Sequence, residues 1–183
     1  MIKRDEALEL LRKYVKNEKN FKHCLAVEAI MRALARRLGK DEELWSLTGL
    51  LHDIDYELVG KDLSRHGVVA LELLKDLLPN EALEAIASHN ELTGHTSNLD
   101  IAYALKASDH VSGLIIATAL VMPNKKLDEV RVDSVLKKFK QKDFARGVDR
   151  SRIMYCEKLG LSLEEFVEVS LEALKEIHDV LGL

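Results

Sequence analysis

Residues 50–56, LLHDIDY, decide how the rest of the chain is read. His52 and Asp53 stand side by side inside an apolar run that Asp41 caps and that is predicted to be helical through about Asp55. The core stripe of that run is Leu44, Leu47, Leu51, Ile54 and Leu58. Successive helical residues are about 100° apart, so His52 and Asp53 point away from the stripe, toward a face carrying Ser46, Thr48 and Gly49. Small residues there let a second helix or a ligand come close.

On the N-terminal side, residues 3–17 place Ala7, Leu8, Leu11 and Val15 at helical spacing, an amphipathic helix that covers the core. Asn20 is the predicted N-cap of a helix from about Phe21 to Leu38, stopped by Gly39, with His23 in register with Val27, Ile30 and Leu34. On the C-terminal side, Gly60 to Leu63 reads as a loop, and Ser64 caps a helix that runs to Leu78 before Pro79. His66, in its first turn, lines up with Val69, Ala70 and Leu73. Asn80 caps the next helix, on which His89 is in register with Ala82, Ala85 and Ile86. A loop over Glu91 to Asn98, with His95 exposed, precedes a long helix from Leu99 to about Val121. On that helix Asp109 shares a face with Ile101, Leu105, Ser112 and Ile116, where a lone carboxylate would be costly to bury and needs a partner.

Beyond Met122-Pro123-Asn124 the chain turns lysine-rich. A short helix near Asp133 to Phe139, the segment FARGVDRSRI, a helix ending at Gly160 and a final helix through Leu181 follow, the last opened by a Ser162/Glu165 capping box. VRVDSVL is the nearest approach to strand alternation, and no internal repeat is present. The fold class is therefore all-α, with residues 1–122 as a helical core and residues 123–183 as a C-terminal helical extension packed on the same domain.

Composition limits the function. The chain has 183 residues, 47% apolar and 32% charged, as in a folded globular protein. A net charge of -4 and a pI near 6.0 provide no basic excess for a phosphate backbone, so nucleic acid is not an expected partner. No apolar run is long enough to span a bilayer, the first residues are not signal-like, and a cytoplasmic location without membrane attachment is expected. Cys24 and Cys156 lack CxxC spacing and read as reduced, packed thiols.

The chemistry lies in His23, His52, Asp53, His66, His89 and Asp109, each assigned to an inward face. Mixed nitrogen and oxygen donors suit a divalent Mn, Fe, Co, Ni or Zn ion. Such an ion would neutralise the carboxylates and satisfy the imidazoles, and six donors are enough for one or two ions, with Asp53 able to bridge.

The order His, His-Asp, Asp, with 29 residues from His23 to His52 and 56 from Asp53 to Asp109, resembles the HD superfamily of metal-dependent phosphohydrolases. The pair embedded in GLLHDID is the most specific part, and FARGVDRSRIMYCEKLGLSLEEF resembles a small group of uncharacterised predicted hydrolases in that superfamily. The resemblance implies an HD-type helical bundle in which His23, His52, Asp53 and Asp109 hold a primary metal. His66 and His89 would complete a two-metal centre or, with one metal, contact the substrate phosphate or its leaving group. It implies hydrolysis of a phosphate ester, of a nucleotide or another small phosphorylated metabolite, by metal-activated water. Asp53, Asp55 and Lys106 are then the expected catalytic groups, and Lys22, Lys61, Arg65 and Arg150 the expected substrate-binding cations, with Arg146 weaker. The expected partners are a small phosphorylated substrate and, at most, a second copy of the chain in a homodimer. Two departures narrow the branch. Asp55 and Tyr56 stand where many members have Gly and Lys after HDI, and SHNE at Ser88 to Glu91, with no GYP after it, argues against cyclic-dinucleotide cleavage. The reading from a different class is a non-catalytic regulator that keeps the site to bind metal or nucleotide.

Overall fold

The computed structural model describes residues 1–183, and its regular structure is entirely helical. Two helices of 21 residues each, α2 (Glu18–Leu38) and α7 (Asp100–Leu120), form the spine, each about 31 Å long. Helix α3 (Glu42–Leu51) packs along α2, with α1 (Arg4–Tyr14) against it, and α6 (Asn80–His89) packs on α7. Two short helices, α4 (Tyr56–Val59) and α5 (Val68–Leu74), carry the chain from α3 to α6.

Past Pro123 the chain folds back onto the same core. Helix α8 (Val132–Lys140), the short α9 (Arg150–Ile153), the 3₁₀ stretch Met154–Leu159 and α10 (Leu163–Glu176) pack against α7 or α2, and α11 (His178–Leu181) ends on α2. One continuous apolar core runs from Ala7 to Leu181 and includes Phe166, Leu171 and Leu174 of the extension. Both cysteines are buried and unpaired.

Helix α3 comes close to α2 at Gly49. A Cβ there would lie 2.9 Å from Met31 Cγ and 2.9 Å from the Val27 carbonyl oxygen, so only glycine lets α3 sit this close. That contact sets His52, three residues on, opposite His23. Gly49→Ala is expected to destabilise the fold by about 1–3 kcal/mol through overpacking, read as a lower urea midpoint. An unchanged midpoint would contradict the close approach.

Local structure departs from expectation in several places: Asn80, expected to cap α6, is its first residue behind Pro79, and Leu58, expected in the core stripe, is exposed. Helix α2 begins one turn earlier, because the Asn17 side chain accepts from Lys19 and Asn20 N–H and so serves as the cap in place of Asn20. Helix α3 ends at Leu51 rather than Asp55. Residues 52–56 tighten into three-residue turns, Ile54 N–H bonding to Leu51 O and Tyr56 N–H to Asp53 O. A further departure follows from Asp55. Ser64 caps nothing, its hydroxyl bonding to Asp62, and α5 starts at Val68 behind Gly67 at φ 95°. The Asp55 carboxylate, remote in sequence, accepts from Gly67 and Ala70 N–H at 2.8 Å each and does the capping instead. Finally, the last helix is interrupted at Ile177, between α10 and α11.

Candidate metal centre

Five elements bring the six inward residues together. Helix α2 supplies His23, the turn after α3 supplies His52 and Asp53, the segment before α5 supplies His66, α6 ends on His89, and α7 supplies Asp109. Asp53 lies in the middle. Its Oδ1 is 3.3 Å from His52 Nε2, 3.1 Å from His66 Nε2 and 3.5 Å from His89 Nε2, while Oδ2 is 3.6 Å from His23 Nε2. Asp109 Oδ1 is 3.1 Å from His23 Nε2 and 3.9 Å from His52 Nε2.

Each imidazole is oriented by its outer nitrogen. His52 Nδ1 bonds to the Gly49 carbonyl at 2.7 Å, His89 Nδ1 to the Ile86 carbonyl at 2.6 Å, and His66 Nδ1 to Asp55 Oδ1 at 2.8 Å. His23 Nδ1 faces the Ser112 hydroxyl at 3.4 Å, and that hydroxyl donates to the Asp109 carbonyl. With Nδ1 held as the donor, Nε2 presents a lone pair to the interior, the arrangement in which histidines bind metal.

Two overlapping donor sets have the spacing to hold an ion: His23, His52 and Asp109, and His52, Asp53 and His89. The fit is tested by His52. Its Nε2 is fully buried without a hydrogen-bond partner, and its lone pair faces carboxylate oxygens that are themselves acceptors. Acceptor against acceptor in a buried site calls for a cation between them.

Electrostatics agree. Burial pushes His52 down to about 4, against the pull of Asp53 and Asp109, so this imidazole is neutral at physiological pH. Although burial opposes it, the hydrogen bonds to Asp53 and Asp55 raise His66 to about 10. His23 is also raised: burial opposes it, but the bond to Asp109 and the charges of Asp109 and Asp53 together prevail. Both carboxyls are held below the usual range: burial is outweighed for Asp53 by His52, His66 and His89, and for Asp109 by His23. In the metal-free protein, imidazolium protons therefore stand in for a cation.

A pH dependence follows. Below about pH 10 an ion must displace the His66 proton, and the raised His23 adds to that competition toward lower pH. Apparent affinity for Mn or Zn is therefore expected to rise with pH between 6 and 9, about tenfold per unit for each proton displaced. Calorimetric titration in buffers of different ionisation enthalpy counts those protons. An affinity independent of pH would count against ligation by these imidazoles.

The other expected site residues fall elsewhere. Asp55 is fully buried with both oxygens engaged, Oδ1 by His66 and Oδ2 by Gly67 and Ala70, so it positions His66 and is corrected from a catalytic to a positioning role. Lys106 is 8% exposed, with Nζ 5.4 Å from the Tyr155 ring centre, and it forms no ion pair with the six; burial and then Arg152 lower its pKa. Arg150 is also corrected. Its guanidinium donates to the carbonyls of Lys138, Phe139, Gln141, Phe144, Ala145 and Val148, tying down residues 138–148 and leaving nothing for substrate. Lys22 donates to the Leu181 carbonyl at 3.0 Å, and Lys61, Arg65 and Arg146 are exposed.

The residue that pattern reading missed is Arg152. Its guanidinium donates to the His89 carbonyl at 2.5 Å and pairs with Glu91 at 3.3 Å, bracing the end of α6. The signal was present in FARGVDRSRI, where Arg150 and Arg152 have the same chemistry and only tertiary packing assigns their tasks. His110, next to Asp109, accepts from Asp149 N–H at 3.0 Å.

An all-helical bundle that gathers four histidines and two aspartates at the crossing of its longest helices defines a protein with a candidate divalent-metal centre. Sequence comparison gives the family. The model of the HD domain matches residues 20–119, and the chain belongs to that family, within the metal-dependent phosphohydrolase superfamily. It is 33% identical over 152 residues to an uncharacterised protein of Methanocaldococcus jannaschii, the match covering 75% of this chain and 85% of the relative. No solved structure matches it. No helix is long and apolar enough to cross a membrane.

Proposed function

We propose that this protein hydrolyses a phosphate ester of a nucleotide or another small phosphorylated metabolite, using one or two divalent transition-metal ions held by His23, His52, Asp53, His66, His89 and Asp109. The observation that carries the reading is the convergence of four Nε2 atoms and two carboxylates, together with the partnerless, fully buried His52 Nε2. A divalent ion bound there would polarise a phosphoryl oxygen and bring the pKa of water toward neutrality.

The chain's own residues do the rest. Gly49, Ile86 and Asp55 fix the tautomers of His52, His89 and His66, so that their inward nitrogens need no rearrangement. Asp53 and Asp109, held ionised, balance the positive charge. Asp53 is 16% and Asp109 23% exposed at the side chain, against 0% for His52, so substrate reaches the centre from the Asp53–Asp109 side.

The test is reconstitution of metal-free protein with Mn, Fe, Co, Ni and Zn in turn, with elemental analysis and assay over nucleotides, sugar phosphates and simple phosphomonoesters. Stoichiometric metal with turnover of at least one ester is the expected result. Stoichiometric metal without turnover across the panel would overturn the hydrolase and leave the metal-binding regulator.

A further inference from the structure

A cavity of about 620 Å³ opens beside His23, within the range of about 300–1,000 Å³ found for small-molecule sites. The other cavities of comparable size, along α1, have none of the six clustered residues in their walls. One wall is α7, where Gly113, Ile116, Ala117 and Leu120 line it, and Leu181 and Leu183 add to that apolar surface. Gly113 lies one turn beyond Asp109, and His23 is 3.1 Å from Asp109, so the cavity starts at the rim of the candidate metal centre.

The opposite wall, the first turns of α2, looks polar in sequence but its groups are committed. Glu18 accepts from Arg12, the Asn20 amide donates to Glu57, and the Lys22 ammonium donates to the Leu181 carbonyl. Only Lys19, one turn before His23 on α2, keeps an ammonium without a protein partner. The cavity thus offers an apolar surface, one free cation and the edge of the centre. A sugar or ribose placed there would set most of its hydroxyls against the apolar wall, where they lose water without hydrogen bonds in return.

We infer that this cavity receives the organic group of the substrate, and that the substrate is a phosphomonoester of an apolar alkyl or aryl group, with Lys19 drawing the phosphate dianion toward His23. The inference rests on the phosphohydrolase reading and narrows its substrate from nucleotides and other small metabolites to esters without a ribose.

Cyclohexyl phosphate and glucose 1-phosphate share ring size and differ in hydroxyls, so they isolate the claim. With metal-loaded protein, kcat/KM is expected to be at least about tenfold higher for cyclohexyl phosphate than for glucose 1-phosphate or AMP. By calorimetry, phenylphosphonate should bind at least about tenfold tighter than methylphosphonate. Leu120→Glu, at a half-exposed position that a charge does not unfold, should erase both preferences without changing metal content. Ala117→Phe, which fills the cavity, should do the same by bulk. Equal or better turnover of glucose 1-phosphate or AMP would overturn the inference and leave the hydrolase in place. If no ester is turned over, the hydrolase reading falls, and the phosphonate pair decides separately: no preference for the phenyl group overturns the cavity assignment.

Discussion

Asp53→Asn is expected to abolish metal binding and phosphoesterase activity together while leaving the helices in place, with turnover falling by more than about 1,000-fold. The substitution keeps shape and removes charge at the residue that faces all four imidazole Nε2 atoms, at 3.1 to 3.6 Å. Asp53 belongs to the His52–Asp53–His89 set and its Oδ2 lies 3.6 Å from His23 of the other, so an asparagine amide would turn either a neutral oxygen or an N–H toward the cation on both sides. Asp109→Asn provides the comparison, since Asp109 approaches only His23 and His52 among the four. It should weaken the His23 side and spare the His66–His89 side, leaving metal content partly retained where Asp53→Asn leaves almost none. Elemental analysis beside circular dichroism separates loss of metal from loss of fold. A folded Asp53→Asn protein with its full complement of metal would show that the centre is not organised around this carboxylate.

Helical periodicity made His23, His89 and Asp109 legible on inward faces, while His52, Asp53 and His66, expected within helices, lie in turns just outside them and still face the same interior. The small-residue face of α3 was legible too, since Gly49 is where α2 comes within van der Waals range. What could not be read was every arrangement made by a side chain reaching far along the chain to main-chain atoms. Asp55 caps α5 from 12 and 15 residues away, which local cap statistics would assign to Ser64. Arg150 and Arg152 are equivalent in sequence terms, yet one is consumed by six carbonyls of its own loop and the other reaches His89, 63 residues away. Lys22 and Lys106 were chosen for nearness in sequence to proposed ligands. Nearness along a helix says little about where a long side chain ends, and these two finish on the Leu181 carbonyl and beside Tyr155.

Asp55 gives the second large effect, and it should fall on stability first. Its carboxylate takes three hydrogen bonds in a fully buried position, from His66 Nδ1, Gly67 N–H and Ala70 N–H, each at 2.8 Å. Asp55→Ala leaves all three donors facing a cavity and strips the partner from a histidine raised to about 10. Removing one member of such a buried, charge-assisted network costs about 3–5 kcal/mol, a large share of the stability of a domain this size. Urea denaturation of the metal-free protein should show that loss as a lower midpoint at unchanged slope. Gly67 sharpens the effect, because its positive φ and the 3.0 Å distance a Cβ would have from the Ile86 carbonyl leave α5 no other way to begin here. Asp55→Asn separates the two roles of the residue. It keeps one acceptor and most of the packing, so the fold should survive, while His66 loses the charged partner that fixes its tautomer. Affinity on the His66–His89 side should then drop by about 10–100-fold with the His23–His52–Asp109 set retained, lowering the metal ratio from about two toward one where two ions bind. If Asp55→Ala unfolds at the same urea concentration as the parent, or Asp55→Asn keeps full affinity, the link from this carboxylate through His66 to the centre is not what holds either in place.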